Sequence, residues 1–316
     1  MAYQASLIGI DLGATWVRLC RVGASSSDLF KLLTPSGPDA HALSRELQRL
    51  LRRIGGDAPI GISRAPGLDG TGRVSSWPSR PDWIGVPLLP TIAEVARVTP
   101  RSADDGVCAA TWEHRAHRFP VQSTTACLTL GTGLGVGIIR NGTPVSTGDG
   151  AGTIGHLPLG DPGLVCVCGK TACLQATLST LSSGRLRRES RGSTRALVDR
   201  TLKGVWSYLR AHYGVEQIVL TGGALERSLG ADAWPLSELA AASGDGDQPR
   251  FHLSSTPALS ALGGALLLAA DETADPQVTI RIGRALQRWQ LLTSAFEPAI
   301  PSCEPRSSTT TCAVRA

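Results

Sequence analysis

One histidine and three cysteines stand close together in the middle of the chain. His156 is followed by a C-x-C-x4-C pattern that consists of Cys166, Cys168 and Cys173. Thiolate and imidazole are ligands that suit zinc, and a closed shell of four ligands leaves no open position for chemistry. Several glycines in the same stretch permit the tight turns that such a loop needs. The spacing predicts a structural zinc site, with buried free thiols or a disulfide as the alternative.

Two further stretches share the order strand, Gly/Thr turn and strand, and one lies in each half of the chain. In the first, LIGIDL leads into Asp11, Gly13 and Thr15; in the second, ACLTL leads into Thr132 and Gly133. Such an open backbone can donate amide hydrogen bonds to a phosphate, and the threonine adds a hydroxyl. Taken alone, each stretch could equally be an ordinary hairpin. A Rossmann-type site is not indicated, because a strand rather than a helix follows the glycines.

A pair of acidic residues opens a predicted helix. Asp104 and Asp105 follow a short strand, and the helix continues through Glu113 and His117. Negative charge is favoured at a helix N-terminus, so either carboxylate could simply cap the helix. From the residues alone, the capping role is the favoured interpretation of this pair.

The composition indicates a globular protein large enough for two domains of ordinary size. Of the 316 residues, 42% are hydrophobic and 18% are charged, and the net charge is +5. A basic cluster at 185–191 fits a solvated helix face better than a nucleic-acid groove. Neither a signal peptide nor an apolar run of bilayer length is visible. With eight cysteines, three of them in the metal-like pattern, we expect a cytoplasmic protein without nucleic-acid or membrane partners.

We expect two α/β lobes and a tail. Residues 1–118 form the first lobe, with the first Gly/Thr turn and the acidic pair, and a composition shift near 118–123 marks its end. Residues 119–297 form the second lobe, whose last helix could pack back on the first. Residues 298–316 are rich in Ser, Thr and Pro and are expected to be disordered. Helical periodicity predicts helices over 40–54, 90–96, 178–212, 257–270 and 278–296.

Taken together, these motifs resemble those of the ROK family, whose name stands for repressors, open reading frames and sugar kinases. The stretch G-H-x9-C-x-C-G resembles the family's zinc loop, and Asp105 keeps the family's spacing to Glu113. Gly222 and Gly223 follow an apolar strand and resemble the family's adenosine-binding turn, although an ordinary strand-to-helix turn looks the same. The resemblance covers about residues 6–270. It implies a two-lobed α/β fold of the actin-like ATPase (ribonuclease H-like) type, with a central nucleotide/substrate cleft and a zinc-binding loop.

The resemblance also implies an ATP-dependent kinase that phosphorylates a hydroxyl of a sugar or sugar-like cyclitol. Asp105 would be the catalytic base, and Asp104 stands where the family carries an asparagine that contacts the sugar. Asp11 would hold Mg²⁺ through water, while the two Gly/Thr turns bind the phosphates of ATP. His156 would both bind zinc and reach toward the sugar. Gly67, in an Ala-Pro-Gly turn, is expected among the substrate contacts.

Two substrate positions depart from the family pattern. Thr153 and Gln175 stand where the family carries glutamates associated with sugar hydroxyls. Losing these acceptors argues against ordinary glucose and could suit a modified hexose or a carbasugar cyclitol of natural-product biosynthesis. The alternative function is a non-catalytic ROK-type sugar sensor without a DNA-binding domain, since the first lobe already begins at Ser6. We further expect a homodimer.

Overall fold

The computed structural model describes residues 6–34, 40–54, 58–131, 133–145, 152–166, 168–182, 191–223, 250–270, 275–294 and 312–315. The chain divides into two compact units. The first comprises Met1–Asp105 and Leu262–Ala316, and the second comprises Gly106–Ala261. Within the described ranges, every helix is too short or too polar to cross a membrane.

The first unit is built on a six-stranded sheet of order β13-β3-β2-β1-β4-β7. Strands β1 (Leu7–Leu12), β2 (Trp16–Val22) and β3 (Ser27–Leu33) are antiparallel neighbours, whereas β4 (Ile60–Arg64) and β7 (Arg101–Asp104) run parallel to β1. All six residues of β1 are buried, as expected for a central strand that is covered on both faces. A small ribbon pairs β5 (Gly67–Leu68) with β6 (Val74–Ser76).

The α-helices described in this unit are α1 (Ala40–Ile54), α2 (Leu88–Ala96), most of α7 (Ser260–Ala269) and α8 (Pro276–Ser294). In α1 the buried side chains recur at helical spacing, at Leu43, Leu47, Leu50, Leu51 and Ile54. Helix α7 approaches the sheet closely, because a Cβ added to Gly61 would lie 1.9 Å from the Ala265 carbonyl oxygen. Glycine is therefore required at position 61.

The second unit contains a five-stranded sheet of order β10-β9-β8-β11-β12. Its strands are β8 (Thr125–Leu130), β9 (Leu134–Arg140), β10 (Thr143–Pro144), β11 (Gln217–Thr221) and β12 (Phe251–Leu253). Strands β8, β11 and β12 are parallel, and β9 is antiparallel to β8. Among the described residues of this unit, the helices are α3 (Asp105–Ala116), α4 (Gly152–Gly155), α5 (Leu174–Ser182) and α6 (Arg191–Tyr213).

The organisation differs from the sequence expectation in two places. The first division falls at Asp105, the first residue of α3, rather than after residue 118, and α7 belongs largely to the first unit together with α8, the last helix, whose return was expected. The described parts of the segment expected to be helical over 178–212 lie in α5 and α6, and most of the basic cluster at 185–191 lies outside the described residues.

The second difference concerns the expected disordered tail, 298–316. Its described residues form strand β13 (Cys312–Arg315), which pairs antiparallel with β3. Without β13, β3 would be an edge strand with unpaired backbone groups, and such edges readily accept another strand. The Ser/Thr/Pro-rich composition gave no sign of this four-residue strand.

Candidate active site

Asp11 lies near the carboxyl end of β1 and is held from two sides. Its Oδ1 accepts a hydrogen bond from Ser63 Oγ at 3.0 Å, and its Oδ2 pairs with Arg18 Nη1 at 3.0 Å. Ser63 and Arg18 are its register partners on β4 and β2. Only 5% of Asp11 is exposed. The sheet therefore fixes this carboxylate and leaves some of its acceptor positions for other donors.

The β1–β2 turn is held by hydrogen bonds to its carbonyl groups. Thr34 donates from Oγ1 to Gly13 O at 2.7 Å and from its amide to Thr15 O at 3.0 Å. Arg80 donates from Nε and Nη2 to Ala14 O, at 3.0 and 2.7 Å. In a planar trans peptide the carbonyl and the following amide point in opposite directions. The amides of Ala14 and Thr15 thus point away from Thr34 and Arg80, as a phosphate-binding turn requires.

The acidic pair lies at the same edge of the first sheet. Strands β1, β4 and β7 are parallel, and the register aligns Leu12 with Arg64 and Arg64 with Asp104. Adjacent strands are about 4.8 Å apart, so Asp104 lies about 10 Å from Leu12 across the sheet. Asp104 ends β7 and Asp105 begins α3, and both are half-buried.

This edge therefore gathers the first Gly/Thr turn, Asp11 and the acidic pair. Gly67 begins β5, three residues after β4 ends at the same edge. The sequence predicted these residues from separate motifs, and the parallel strands explain why they converge.

The second Gly/Thr turn joins β8 to β9 in the second unit. The Gly131 amide donates to Gly133 O at 2.9 Å, and Thr132 lies outside the described residues. Gln175 lies beside this turn, because a Cβ added to either Gly133 or Gly155 would be 3.5 Å from Gln175 Oε1. The amide of Gln175 is thus placed between the turn and α4. Thr153 lies in α4, and its side chain is outside the described part.

Gly222 and Gly223 follow β11 at the edge where β8 also ends. Gly222 has φ 108°, and its amide donates to Pro257 O at 2.8 Å. A Cβ added to Gly222 would lie 2.1 Å from Leu130 O, so the strand end admits only glycine here. Because β8 and β11 are parallel, the second Gly/Thr turn and this glycine pair lie at one edge of the second sheet.

The histidine and the three cysteines of the C-x-C-x4-C pattern form one cluster. The ligand atoms of His156, Cys166, Cys168 and Cys173 all lie within 4.8 Å of one another. His156 Nδ1 is 3.5 Å from Cys166 Sγ, and Cys168 Sγ is 3.6 Å from Cys173 Sγ. Sulfur ligands on a tetrahedral zinc, with bonds of about 2.3 Å, lie about 3.8 Å apart. The donor set and its spacing therefore fit a zinc ion.

The local backbone explains how this loop brings its ligands together. Cys166 donates its amide to Lys170 O at 2.8 Å, and the Gly169 amide returns to Cys166 O at 2.9 Å. A backbone hydrogen bond from Lys170 lowers the pKa of the exposed Cys168 thiol, and the Lys170 charge acts in the same direction. Burial raises the pKa of the Cys173 thiol to about 12. Burial also lowers the pKa of His156, which favours the neutral ring that metals bind.

Glu113 was singled out by its spacing from Asp105, but its partners lie far along the chain. Its carboxylate is 1% exposed and accepts hydrogen bonds from Ser254 Oγ at 2.6 Å and Ser260 Oγ at 2.5 Å. Its other oxygen lies 3.2 Å from His117 Nε2. Glu113 thus anchors α3 within the second unit rather than facing a ligand.

Four polar residues that shape the site were missed as functional candidates by sequence reasoning: Arg18, Thr34, Ser63 and Arg80. Each acts on a motif residue through a contact made across strands or loops. Arg80 is 66 residues from Ala14, and no spacing rule links the two. The signal that could have suggested Arg18 was its place opposite Asp11 in a predicted hairpin.

The sequence of this chain is similar to those of known proteins. The profile described as "ROK family" matches residues 7–201, more than half of the chain. A kanosamine kinase of Amycolatopsis mediterranei is 33% identical over 192 residues, or 58% of this chain. A glucokinase of Thermotoga maritima is 31% identical over 201 residues, or 59% of this chain. Each match covers 61% of the relative, so the chain spans about three fifths of these proteins.

A solved structure shows the likeness in fold. A ROK family glucokinase of Streptomyces griseus, solved in complex with glucose and AMPPNP, superposes with a TM-score of 0.62 at 20% identity. The match covers 84% of this chain and 100% of that structure. The predicted α/β fold, that of the ROK kinases, is thereby confirmed.

Proposed function

The chain belongs to the ROK family, and we propose that it is a kinase acting on a hydroxyl of a sugar or sugar-like cyclitol. The phosphoryl donor is ATP. The observation that carries the proposal is the edge of the first sheet, where a turn with outward amides and the pair Asp104 and Asp105 lie at the ends of parallel strands. Phosphoryl transfer depends mainly on positioning and charge stabilisation, so backbone donors, a carboxylate base and a metal ion suffice.

In the proposed reaction, Asp105 accepts the proton of the acceptor hydroxyl. The hydroxyl oxygen forms a bond to the terminal phosphorus, the bond to the bridging oxygen breaks, and ADP leaves. Asp104 binds a second hydroxyl of the acceptor and orients it. The first Gly/Thr turn, together with Thr132 and Gly133, binds phosphate oxygens, and Gly222 and Gly223 support the adenosine.

Asp11 is the proposed holder of Mg²⁺. The ion usually keeps several of its waters, and Asp11 accepts only one protein donor at each carboxylate oxygen among the contacts described above. The residue can therefore accept further hydrogen bonds from metal-bound water. When bound, the ion neutralises charge on the phosphates.

Zinc is proposed as a structural ion held by His156, Cys166, Cys168 and Cys173. Four protein ligands leave no open position, so the ion would stabilise the loop rather than take part in the reaction. Cys173 immediately precedes α5, which carries Gln175. Zinc would therefore fix the start of the helix that presents Gln175, and His156 would contact both metal and sugar.

The proposed acceptor is not ordinary glucose. Gln175 offers a neutral amide where the family carries a carboxylate, and charged acceptors make the stronger hydrogen bonds to hydroxyls. Among the relatives, one is named a kanosamine kinase and another a glucokinase, so the named acceptors differ. A modified hexose or a cyclitol of a natural-product pathway fits the altered pocket.

A phosphotransfer screen tests the proposal. The full chain is incubated with ATP and Mg²⁺ and with hexoses, amino sugars and cyclitols, and phosphorylated products are detected by mass spectrometry. Product with at least one acceptor, absent from the Asp105→Asn variant, is the expected result. A sugar that binds in calorimetry but is never phosphorylated would instead identify a non-catalytic sensor.

We also propose a cytoplasmic location and a homodimer. Three of the cysteines outside the metal cluster, Cys20, Cys108 and Cys127, are buried free thiols, which suit a reducing compartment. Light scattering on the purified chain tests the dimer, and a monomeric mass would overturn it.

A further inference from the structure

A cavity of about 620 Å³ lies in the first unit, between the β2–β3 turn and the first half of α8. One wall is the serine-rich turn, residues 22–27, and the other includes Arg281, Arg284 and Arg288 of α8. The volume falls within the range of about 300–1,000 Å³ that is typical of small-molecule sites. No residue of this cavity belongs to the proposed kinase site.

The charge of the cavity is strongly positive. Arg281, Arg284 and Arg288 are spaced by three and four residues, so their side chains project from one face of α8. Asp275 is the single carboxylate among the lining residues that the structure describes, and its Oδ1 accepts the Gln277 amide at 2.8 Å. Like charges on one helix face destabilise the helix, and an anionic ligand would relieve that repulsion.

The opposite wall supplies neutral hydrogen-bond donors. Ser25 and Ser26 are exposed at the turn, and the buried Ser27 accepts a hydrogen bond from Trp289 Nε1 at 3.2 Å. This last contact links the serine turn directly to α8, so the two walls of the cavity are joined at Ser27 and Trp289. Guanidinium groups bind phosphate oxygens in a bidentate manner, and hydroxyls complete such sites.

The cavity is far from the first Gly/Thr turn. Strand β2 begins beside that turn at Trp16 and ends at Val22, which lines the cavity. Seven residues of extended strand span about 20 Å. A molecule bound here therefore lies at the opposite edge of the sheet from Asp11.

We propose that this cavity is a second binding site, for a small molecule that carries one or more phosphate groups. The guanidinium groups of Arg284 and Arg288, both exposed, bind the phosphate, and the hydroxyls of the serine turn lie on its other side. The site does not depend on the kinase reaction. Its chemistry suits a free nucleotide or a sugar phosphate alike.

Calorimetry on the full chain tests the site, with inorganic pyrophosphate as the probe at constant ionic strength. The double variant Arg284→Ala/Arg288→Ala is compared with Arg52→Ala/Arg97→Ala, which removes two exposed arginines elsewhere in the same unit. We expect wild type and the control to bind equally, and the first variant at least tenfold more weakly. If pyrophosphate bound at the Gly/Thr turns instead, its affinity for the Arg284→Ala/Arg288→Ala variant would equal its affinity for the wild type.

Two further probes distinguish the sources of the phosphate. ADP and glucose 6-phosphate are titrated into the same three proteins. The ligand class of the site is that of the probe whose affinity is lower for Arg284→Ala/Arg288→Ala than for the wild type. Circular dichroism melting establishes that each variant is folded. Equal affinity of all three proteins for every probe, or no binding to the wild type, overturns the proposal.

Discussion

Arg80 donates two hydrogen bonds, from Nε and Nη2, to the main-chain carbonyl oxygen of Ala14. The same guanidinium also reaches Thr34 O at 3.4 Å, and Thr34 in turn donates to Gly13 O. One side chain from a distant loop thus contacts both the β1–β2 turn and the residue after β3 that supports this turn. This relationship makes the orientation of the turn amides depend on a residue that need not touch the phosphate.

Replacing Arg80 by alanine should weaken ATP binding more than it slows turnover. Hydrogen bonds from a charged donor contribute about 1.5–3 kcal/mol, so KM for ATP should rise roughly tenfold or more. Arg80→Lys should restore part of the effect, because lysine lacks the fork that contacts one oxygen twice. Steady-state kinetics with varied ATP provide the measurement.

The matched control for this variant is Arg73→Ala. Arg73 lies in the preceding loop, is exposed and donates to Gly85 O at 2.9 Å. Its loss should leave KM for ATP unchanged. A rise of the same size in both variants would show that Arg80 acts through general stability rather than through the turn.

The elements around the site were predictable because their signals are local. The apolar run LIGIDL and the helical spacing of residues 40–54 gave β1 and α1 directly. A short strand that ends in two acidic residues predicted the start of a helix at Asp104 and Asp105. In the structure, β7 ends at Asp104 and α3 begins at Asp105.

The remaining features depend on contacts between distant positions. Ser254 and Ser260 reach Glu113 across 141 and 147 residues, and a buried carboxylate in a helix does not reveal its partners in sequence. The return of α7 to the first unit has the same cause, because packing partners such as Gly61 and Ala265 are set by the tertiary fold.

Zinc should be present at about one ion per chain in protein purified without chelator. Cys168→Ser should lower both the zinc content and the thermal midpoint, since metal binding is coupled to folding. Cys108→Ala, which changes a buried cysteine outside the cluster, should retain the metal. Elemental analysis and thermal melts measure both quantities. The assignment would be wrong if the wild-type protein contained no metal and had the same thermal midpoint as Cys168→Ser.

Glucose should be a poor acceptor for the wild type, and Gln175→Glu should phosphorylate glucose more efficiently. A carboxylate at position 175 would restore a charged acceptor for ring hydroxyls, so kcat/KM for glucose should rise about tenfold. The variant Gln175→Ala, which adds no acceptor, serves as the control. Sub-millimolar KM for glucose in the wild type, or no gain in Gln175→Glu, would contradict the role given to Gln175.

Stability should fall below neutral pH, in part through His114. Burial and, secondarily, Arg115 lower the pKa of this histidine, whose Nδ1 lies 2.9 Å from Thr125 Oγ1. The folded chain then binds fewer protons than the unfolded chain, whose histidines titrate at about 6.5. The free energy of unfolding is therefore greatest above that pH and decreases as pH falls through it.

Urea denaturation between about pH 5 and 8 measures this dependence. In His114→Gln the free energy of unfolding should decrease less steeply as the pH falls. Part of the decrease should remain, because burial also lowers the pKa of His252. Thr125→Val removes the hydrogen-bond partner but retains the histidine, so it should lower stability and keep the pH dependence. An unchanged slope in His114→Gln would exclude His114 as a source.

Asp105→Asn and Asp104→Asn should differ sharply, although the two residues are adjacent. Asparagine at 105 keeps the shape of the side chain but cannot accept the acceptor's proton, so kcat should fall about a hundredfold or more, with nucleotide affinity little changed. If Asp104 only contacts the acceptor, as proposed, asparagine at 104 should mainly alter KM or acceptor preference.

The capping role predicts a different pattern for the same two variants. Asparagine caps helices about as well as aspartate, so both variants would then keep nearly full turnover and thermal stability. Assaying them side by side, on the acceptor that the phosphotransfer screen identifies, separates the two roles. If Asp105→Asn turns over normally while Asp104→Asn is inactive, the pair has been assigned in the wrong order. If both turn over normally, the base lies elsewhere, because a carboxylate that accepts the proton cannot be replaced by an amide without loss of rate.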